Sequence, residues 1–197
     1  AYMLLLGYKK GSRETGGTYE AATTRRFKKG RTEAIRVVSN EVRQWLDVMR
    51  DASSSTSDRK AGLVTALKKH ISDAKDAGMG MGIDRHLLGL RMLVQEHDGE
   101  KALELFNDPL FQRSKKWVLS TSAIFSKHFP VYGWGEVVPD GFGVAYKTGF
   151  DDRLQFTITS RKEMDNVGFI REIEQAAKDL RALFKEEKPG SPIPPSR

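Results

Sequence analysis

Between residues 40 and 94 apolar side chains return every three or four positions, whereas from residue 117 to 160 they alternate with polar ones or run together. The first stretch predicts three helices. Ser39 or Asn40 caps one whose Val42, Trp45, Leu46 and Met49 share a face. Leu63, Leu67, Ile71 and Ala74 repeat at four-residue intervals in a second, ending near Gly78. Asp84 is placed to cap a third, carrying Leu87, Leu90, Leu93 and Val94. The second stretch predicts strands over 117–120, 132–138, 142–148 and 154–160, with Leu154, Phe156 and Ile158 alternating as in a half-buried strand. A last helix follows the spacing of Phe169 or Ile170, Ile173, Ala177, Leu180 and Phe184.

The remaining segments are punctuation. Residues 1–10 read as the end of a helix broken by Gly11, Gly16-Gly17 as a loop, and 18–38 as an extended, bulged stretch. Ser53 to Ser57 is a loop. Gly78-Met79-Gly80-Met81-Gly82 superficially suggests a phosphate loop, but it follows a helix and lacks the Lys-Ser/Thr ending, so a flexible connection is expected. There is no internal repeat. Residues 1–187 read as one domain portion, and the Pro-rich tail 188–197 as extended or disordered.

Composition narrows the chemistry. The chain has 197 residues, enough for one good core, and its 39% hydrophobic and 30% charged content suits a folded protein. It has no cysteine, which removes disulfides and thiolate catalysis, and its four histidines (70, 86, 97 and 128) show no ligand spacing, so no metal site is expected. The apolar run Tyr2 to Leu6 is far shorter than a membrane span. A net charge of +7 admits acidic partners: nucleic acid, anionic membrane surfaces or phosphate-bearing cofactors.

Four blocks then stand in order. Thr18-Tyr19-Glu20-Ala21-Ala22-Thr23-Thr24-Arg25-Arg26-Phe27 leads into Gly30-Arg31-Thr32-Glu33-Ala34-Ile35-Arg36; Asp84-Arg85-His86-Leu87-Leu88-Gly89-Leu90 follows; then come Leu119-Ser120-Thr121-Ser122 and Gly135 to Tyr146. Together they resemble the carnitine/choline acyltransferase family. The resemblance implies an α/β fold of the chloramphenicol-acetyltransferase-like kind, a mixed sheet flanked by helices, with the active site in a tunnel between two such domains. It also implies that this is the C-terminal portion of such an enzyme. The family's catalytic histidine and its CoA-binding lysines precede the Thr-Tyr-Glu block, so this chain alone is expected to lack the general base and to be inactive.

By the same resemblance, Arg85, Tyr19 and Thr32 hold the carboxylate of L-carnitine, Trp134 faces its quaternary ammonium, and Ser122, with Ser120 beside it, stabilises the tetrahedral oxyanion. Arginine suits a carboxylate through two parallel hydrogen bonds, and an aromatic face suits a quaternary cation. Tyr132 stands where a bulky residue closes the acyl channel, which favours a short acyl group, acetyl or propionyl. Arg31 points toward the acidic neighbours of the missing histidine. CoA or acyl-CoA is the co-substrate, with no permanently bound cofactor. Arg85 and Thr32 favour carnitine over choline, which has no carboxylate. Two departures from the pattern, Ala21 for serine and Ala123 for glutamine, remove side-chain hydrogen bonds near the substrates.

Plainer readings stand beside these. Arg85 in a first helical turn is otherwise a solvated residue, Tyr19 and Trp134 core residues, and a serine pair at a strand end turn chemistry. Other classes are a non-catalytic truncated fragment or interaction domain and, through Arg25-Arg26-Phe27-Lys28-Lys29-Gly30-Arg31, a nucleic-acid-binding protein. The resemblance implies a mitochondrial or peroxisomal location, with the cytoplasm as the alternative.

Overall fold

A computed structural model describes residues 17–98, 104–126 and 128–184. Five strands form one mixed sheet: β1 (Thr18–Thr23), β2 (Thr32–Arg36), β3 (Leu119–Ala123), β4 (Phe142–Lys147) and β5 (Gln155–Thr159). Their order is β2-β1-β3-β4-β5, with the inner pairs β1–β3 and β3–β4 parallel and the outer pairs β1–β2 and β4–β5 antiparallel. The extended stretch read over 18–38 resolves into the β1–β2 hairpin. The strand expected over 132–138 is not in the sheet: this segment runs across the face of β3–β5, tied to them by hydrogen bonds of the Tyr132 hydroxyl, the Trp134 indole and the Trp134 carbonyl.

Local chemistry places the helices α1 (Asn40–Arg50), α2 (Thr56–Gly78), α3 (Asp84–Asp98), α4 (Glu104–Asn107), α5 (Pro109–Ser114) and α6 (Asn166–Ala182). Ser39 caps α1 by accepting from the Val42 amide, Ser55 and Asp58 form a reciprocal capping box on α2, and Asp165 caps α6 through Gly168. The short α4 and α5 carry too little periodicity to show in a pattern of apolar residues. The start of α5 is nonetheless signalled by Asp108, which accepts from Leu110 and Phe111, followed by Pro109 in the first turn.

The core lies between α1, α2 and α6 and the sheet face bearing Leu119, Phe142 and Val144. Val37, Val42, Trp45, Leu46, Leu63, Ala66, Phe169, Ile173 and Ala176 complete it. The buried face of α2 differs from the expected one: Leu63, Ala66 and Ala77 are inside, while Leu67 and Ile71 are exposed. Small residues decide this, because Gly62 lies so close to the Trp45 ring that a Cβ would stand 3.0 Å from it. Close approach of α1 therefore outweighs the larger aliphatic stripe. On α3, likewise, Leu90 and Leu93 are exposed, since this helix is fastened to β2 through its first turn rather than along its apolar face. Residues 1–10 and 188–197 lie outside the described residues.

Two features carry measurable consequences. At the hairpin tip Lys29 adopts φ 59°, the left-handed region, and a Cβ on the following Gly30 would overlap the Thr24 carbonyl oxygen. Lys29→Gly is expected to stabilise the fold by about 0.5–1 kcal/mol and Gly30→Ala to destabilise it, both read from urea midpoints. On α2, burial holds His70 below its ordinary value, against the opposing pull of the Glu20 carboxylate. The folded chain thus favours neutral imidazole, and the unfolded chain takes up the proton first as pH falls through about 6.5. Stability is expected to decline from there toward the lower folded pKa, and His70→Gln should flatten that decline in a pH series of urea titrations. An unchanged slope would assign it to other groups.

Candidate functional site

Strand pairing sorts the chemistry by face. Glu20, Thr121, Val144 and Ile158 form one register row on the helix side. Their buried polar groups are satisfied: Thr121 Oγ1 donates to the Tyr19 carbonyl at 2.9 Å, and the Tyr146 hydroxyl donates to the Glu20 carboxylate at 2.7 Å. The adjacent row is Arg36, Tyr19, Ser120, Gly143 and Thr159, on the opposite face, with Ser122 two residues beyond Ser120 on the same strand. Tyr19 and Ser120, 101 positions apart in sequence, are direct neighbours across parallel strands.

One end of that row opens into a cleft of about 300 Å³, whose walls include Tyr19, Arg36, Arg85, Arg91, Lys115 and Trp117. Arg36 donates from Nε and Nη2 to the two oxygens of Asp84 at 3.0 and 2.7 Å, its Nη1 donates to the Ser114 carbonyl, and it stacks over Trp117 at 5.0 Å. Trp117 in turn packs on Tyr19, ring centroids 5.3 Å apart. Asp84 therefore does not cap α3, as its position suggested. Its carboxylate is taken by Arg36, and the amide of Arg85 lies 3.4 Å from the buried carboxylate of Glu33 instead. These contacts fix the first turn of α3, so that Arg85 reaches the start of β2, where it donates to the Thr32 carbonyl at 3.4 Å and to Thr32 Oγ1 at 3.5 Å. Both distances are long for hydrogen bonds, and the guanidinium is exposed. The Tyr19 hydroxyl makes no hydrogen bond among the described residues.

The other end is covered by the crossing segment. Trp134 donates from Nε1 to Ser120 Oγ at 3.2 Å, and its carbonyl accepts from Thr159 Oγ1. The Tyr132 hydroxyl accepts the Ile124 amide at 2.7 Å and lies within donating distance of the Ser122 and Tyr146 carbonyls, at 2.6 and 2.9 Å. Burial raises this phenol above its ordinary value, so it is a neutral donor at physiological pH. Ser122 Oγ makes no hydrogen bond among the described residues. Gly143 permits the crossing, because a Cβ there would stand 2.7 Å from the Trp134 carbonyl oxygen and 2.8 Å from that of Gly135.

The structure thus brings Tyr19 and Arg85 to one cleft, with Thr32 held by Arg85 at the far end of β2, and groups Ser120 with Trp134 and Tyr132 with the Ser122 carbonyl under the crossing segment. Arg31 is exposed beside the hairpin turn and makes no ion pair among the described residues. The basic run Arg25 to Arg31 occupies a single hairpin tip rather than a stripe along a face. Sequence reading passed over Trp117 and the Arg36–Asp84 pair. Their signal was their place beside the motif residues, Arg36 closing one block and Asp84 opening the next.

Residues 2–175 match the family of choline/carnitine O-acyltransferases. The chain belongs to that family. It is similar to the mitochondrial carnitine O-acetyltransferase of Saccharomyces cerevisiae, 39% identical over 129 residues, covering 66% of this chain and 19% of the relative. It is 34% identical over 169 residues to the mitochondrial carnitine O-palmitoyltransferase 2 of Mus musculus, covering 85% of this chain and 25% of the relative. Against the peroxisomal carnitine O-octanoyltransferase of Rattus norvegicus the identity is 39% over 163 residues, 80% of this chain and 26% of the relative. The chain therefore spans between a fifth and about a quarter of the length of these relatives. Its mixed sheet flanked by helices is the α/β architecture expected from sequence.

In this member of the choline/carnitine O-acyltransferase family the crossing segment rests on Gly143. Gly143→Ala is expected to lift Trp134 from Ser120 and to destabilise the fold by about 1–3 kcal/mol. Tryptophan emission during urea titration, with Trp134→Phe as reference, reads both effects, and an unchanged midpoint and spectrum would sink this account.

Proposed function

We propose that this chain is the C-terminal portion of a carnitine O-acyltransferase and supplies the carnitine-carboxylate and oxyanion sides of its site. The observation that carries the reading is that one face of the sheet bears Tyr19 beside Ser120, with Ser122 two residues further along β3, Trp134 on Ser120, and Arg85 in the cleft beside Tyr19 reaching Thr32. A zwitterion with a carboxylate at one end and a reacting hydroxyl nearer its centre fits such an arrangement. The long bonds from Arg85 to Thr32 are readily exchanged for shorter, charge-assisted bonds to a carboxylate, with the Tyr19 hydroxyl as a further donor.

The reaction is reversible acyl transfer between acyl-CoA and L-carnitine. A histidine from the N-terminal portion of the enzyme takes the proton of the carnitine hydroxyl, and the oxygen attacks the thioester carbonyl. The carbonyl oxygen becomes an oxyanion to which Ser122 Oγ donates, a contact of the kind worth about 3–4 kcal/mol. Collapse breaks the carbon–sulfur bond, and the departing thiolate recovers the proton from the imidazolium. Arg85, Tyr19 and Thr32 hold the carboxylate, Trp134 faces the quaternary ammonium, and Arg31 supports the histidine's acidic neighbours. Tyr132 closes the acyl channel, which favours acetyl or propionyl groups. The relatives named for acetyl, octanoyl and palmitoyl transfer support the reaction class, and those named as mitochondrial or peroxisomal support either compartment.

The test is thiol release from acetyl-CoA by the N-terminally completed chain, offered L-carnitine, choline or neither. Release is expected with carnitine alone. Arg85→Ala should raise the carnitine KM roughly 10²-fold with a smaller change in kcat, as loss of about 3 kcal/mol of charge-assisted bonding requires, whereas Ser122→Ala should lower kcat roughly 10²-fold. Equal activity with choline would overturn the carboxylate assignment.

A further inference from the structure

The last residue of β4, Lys147, has no counterpart in the chemistry above, yet it is 2% exposed, more deeply buried than Ser122. Its alternation with Gly143 and Ala145 places it on the face that carries the serines. No carboxylate meets it among the described residues. Instead Nζ donates to the carbonyl oxygens of Phe129 at 2.6 Å, Ser126 at 3.2 Å and Pro130 at 3.4 Å. The rings of Phe150, Phe129 and Phe125 surround it at 5.1, 5.2 and 5.9 Å from Nζ to centroid. Three carbonyl dipoles and three aromatic faces replace water around a full charge.

These carbonyls all belong to the stretch that leaves β3 after Ser122 and leads to Tyr132 and Trp134. Gln155, the register partner of Lys147 on β5, donates to the same Pro130 carbonyl at 2.9 Å. We propose that Lys147 is the positioning residue for the wall of the acyl and ammonium sites: its ammonium draws Ser126, Phe129 and Pro130 onto the end of β4, and so sets where the following Tyr132 and Trp134 meet Ser122 and Ser120. The latch itself stands on these contacts alone, and only the roles of Tyr132 and Trp134 rest on the acyltransferase reading. A neutral side chain of equal length fills the space but leaves the Ser126 and Phe129 carbonyls facing it unpaired, with Pro130 held by Gln155 alone, which frees the stretch without dismantling the core on the other side of the sheet.

Nuclear magnetic resonance of the nitrogen-15-labelled chain tests this without any activity assay. The wild-type chain is expected to show a slowly exchanging lysine ammonium signal that disappears in Lys147→Met. In the variant, the Ile124 amide, which depends on the Tyr132 hydroxyl, should exchange at least tenfold faster and the Trp134 indole signal should shift, while the buried Trp45 indole stays unchanged. Because the chain has no cysteine, Lys147→Cys can be alkylated selectively in denaturant and refolded. Aminoethylation, which restores an amine at the same reach, is expected to return the Ile124 protection and the Trp134 signal, and S-propylation, which restores only the bulk, is not. Absence of a protected ammonium in the wild type, equal recovery by both adducts, or parallel loss of Trp45 protection would overturn the proposal. Loss of carnitine-dependent thiol release, by contrast, would bear on the function and leave the latch standing.

Discussion

The pairing of β3 between two parallel neighbours is the constraint from which the rest follows. With a side-chain period of two, the register that sets Leu119 beside Phe142 and Thr18 also sets Ser120 beside Tyr19 and Gly143. A slip of one residue would turn both serines into the helical layer and bring Leu119 and Thr121 out. Burial of Leu119 and the bond from Thr121 to the Tyr19 carbonyl oppose that slip, so the residues that never approach the site determine which ones do.

Around that strand the two faces solve different problems. The helical side is closed by aliphatic and aromatic packing, with the Phe142 and Phe169 ring centroids 4.4 Å apart at its centre. The other side is closed by polar attachments: an arginine–aspartate pair steers the first turn of α3, and a segment without sheet pairing is tied down by an indole, a phenol and a buried ammonium. Such attachments are directional, which suits a surface where the relative placement of a few groups matters more than the area buried.

Legibility of the sequence divides along the same line. Helices α1, α2 and α6 and strands β4 and β5 were written in periodicity and caps, and their ends agree with the chain's Ser39, Gly78 and Lys147 to within a residue or two. The candidate site residues could be named only through the motif blocks, because nothing in local pattern tells that Tyr19 and Ser120 will be neighbours. Segment 132–138 misled for a physical reason: its residues favour extended backbone, but whether an extended segment joins a sheet or crosses it depends on what lies beneath, here a glycine at 143 and hydroxyls at 120 and 159. The buried face of α2 was misjudged because Gly62 and Ala66, which pattern reading weighs lightly, permit the closest approach. Lys147 was invisible for the opposite reason, since a lysine ending a strand is ordinarily at the surface.

Alternate residues of β3 and β4 answer to different demands, one set to helix packing and the other to the segment lying across them. A change on one set is therefore felt first by the layer it touches, and the helical layer beneath still holds the strands in register. A sheet with that division of labour keeps the errand of folding and the errand of shaping its surface on separate side chains of the same strands.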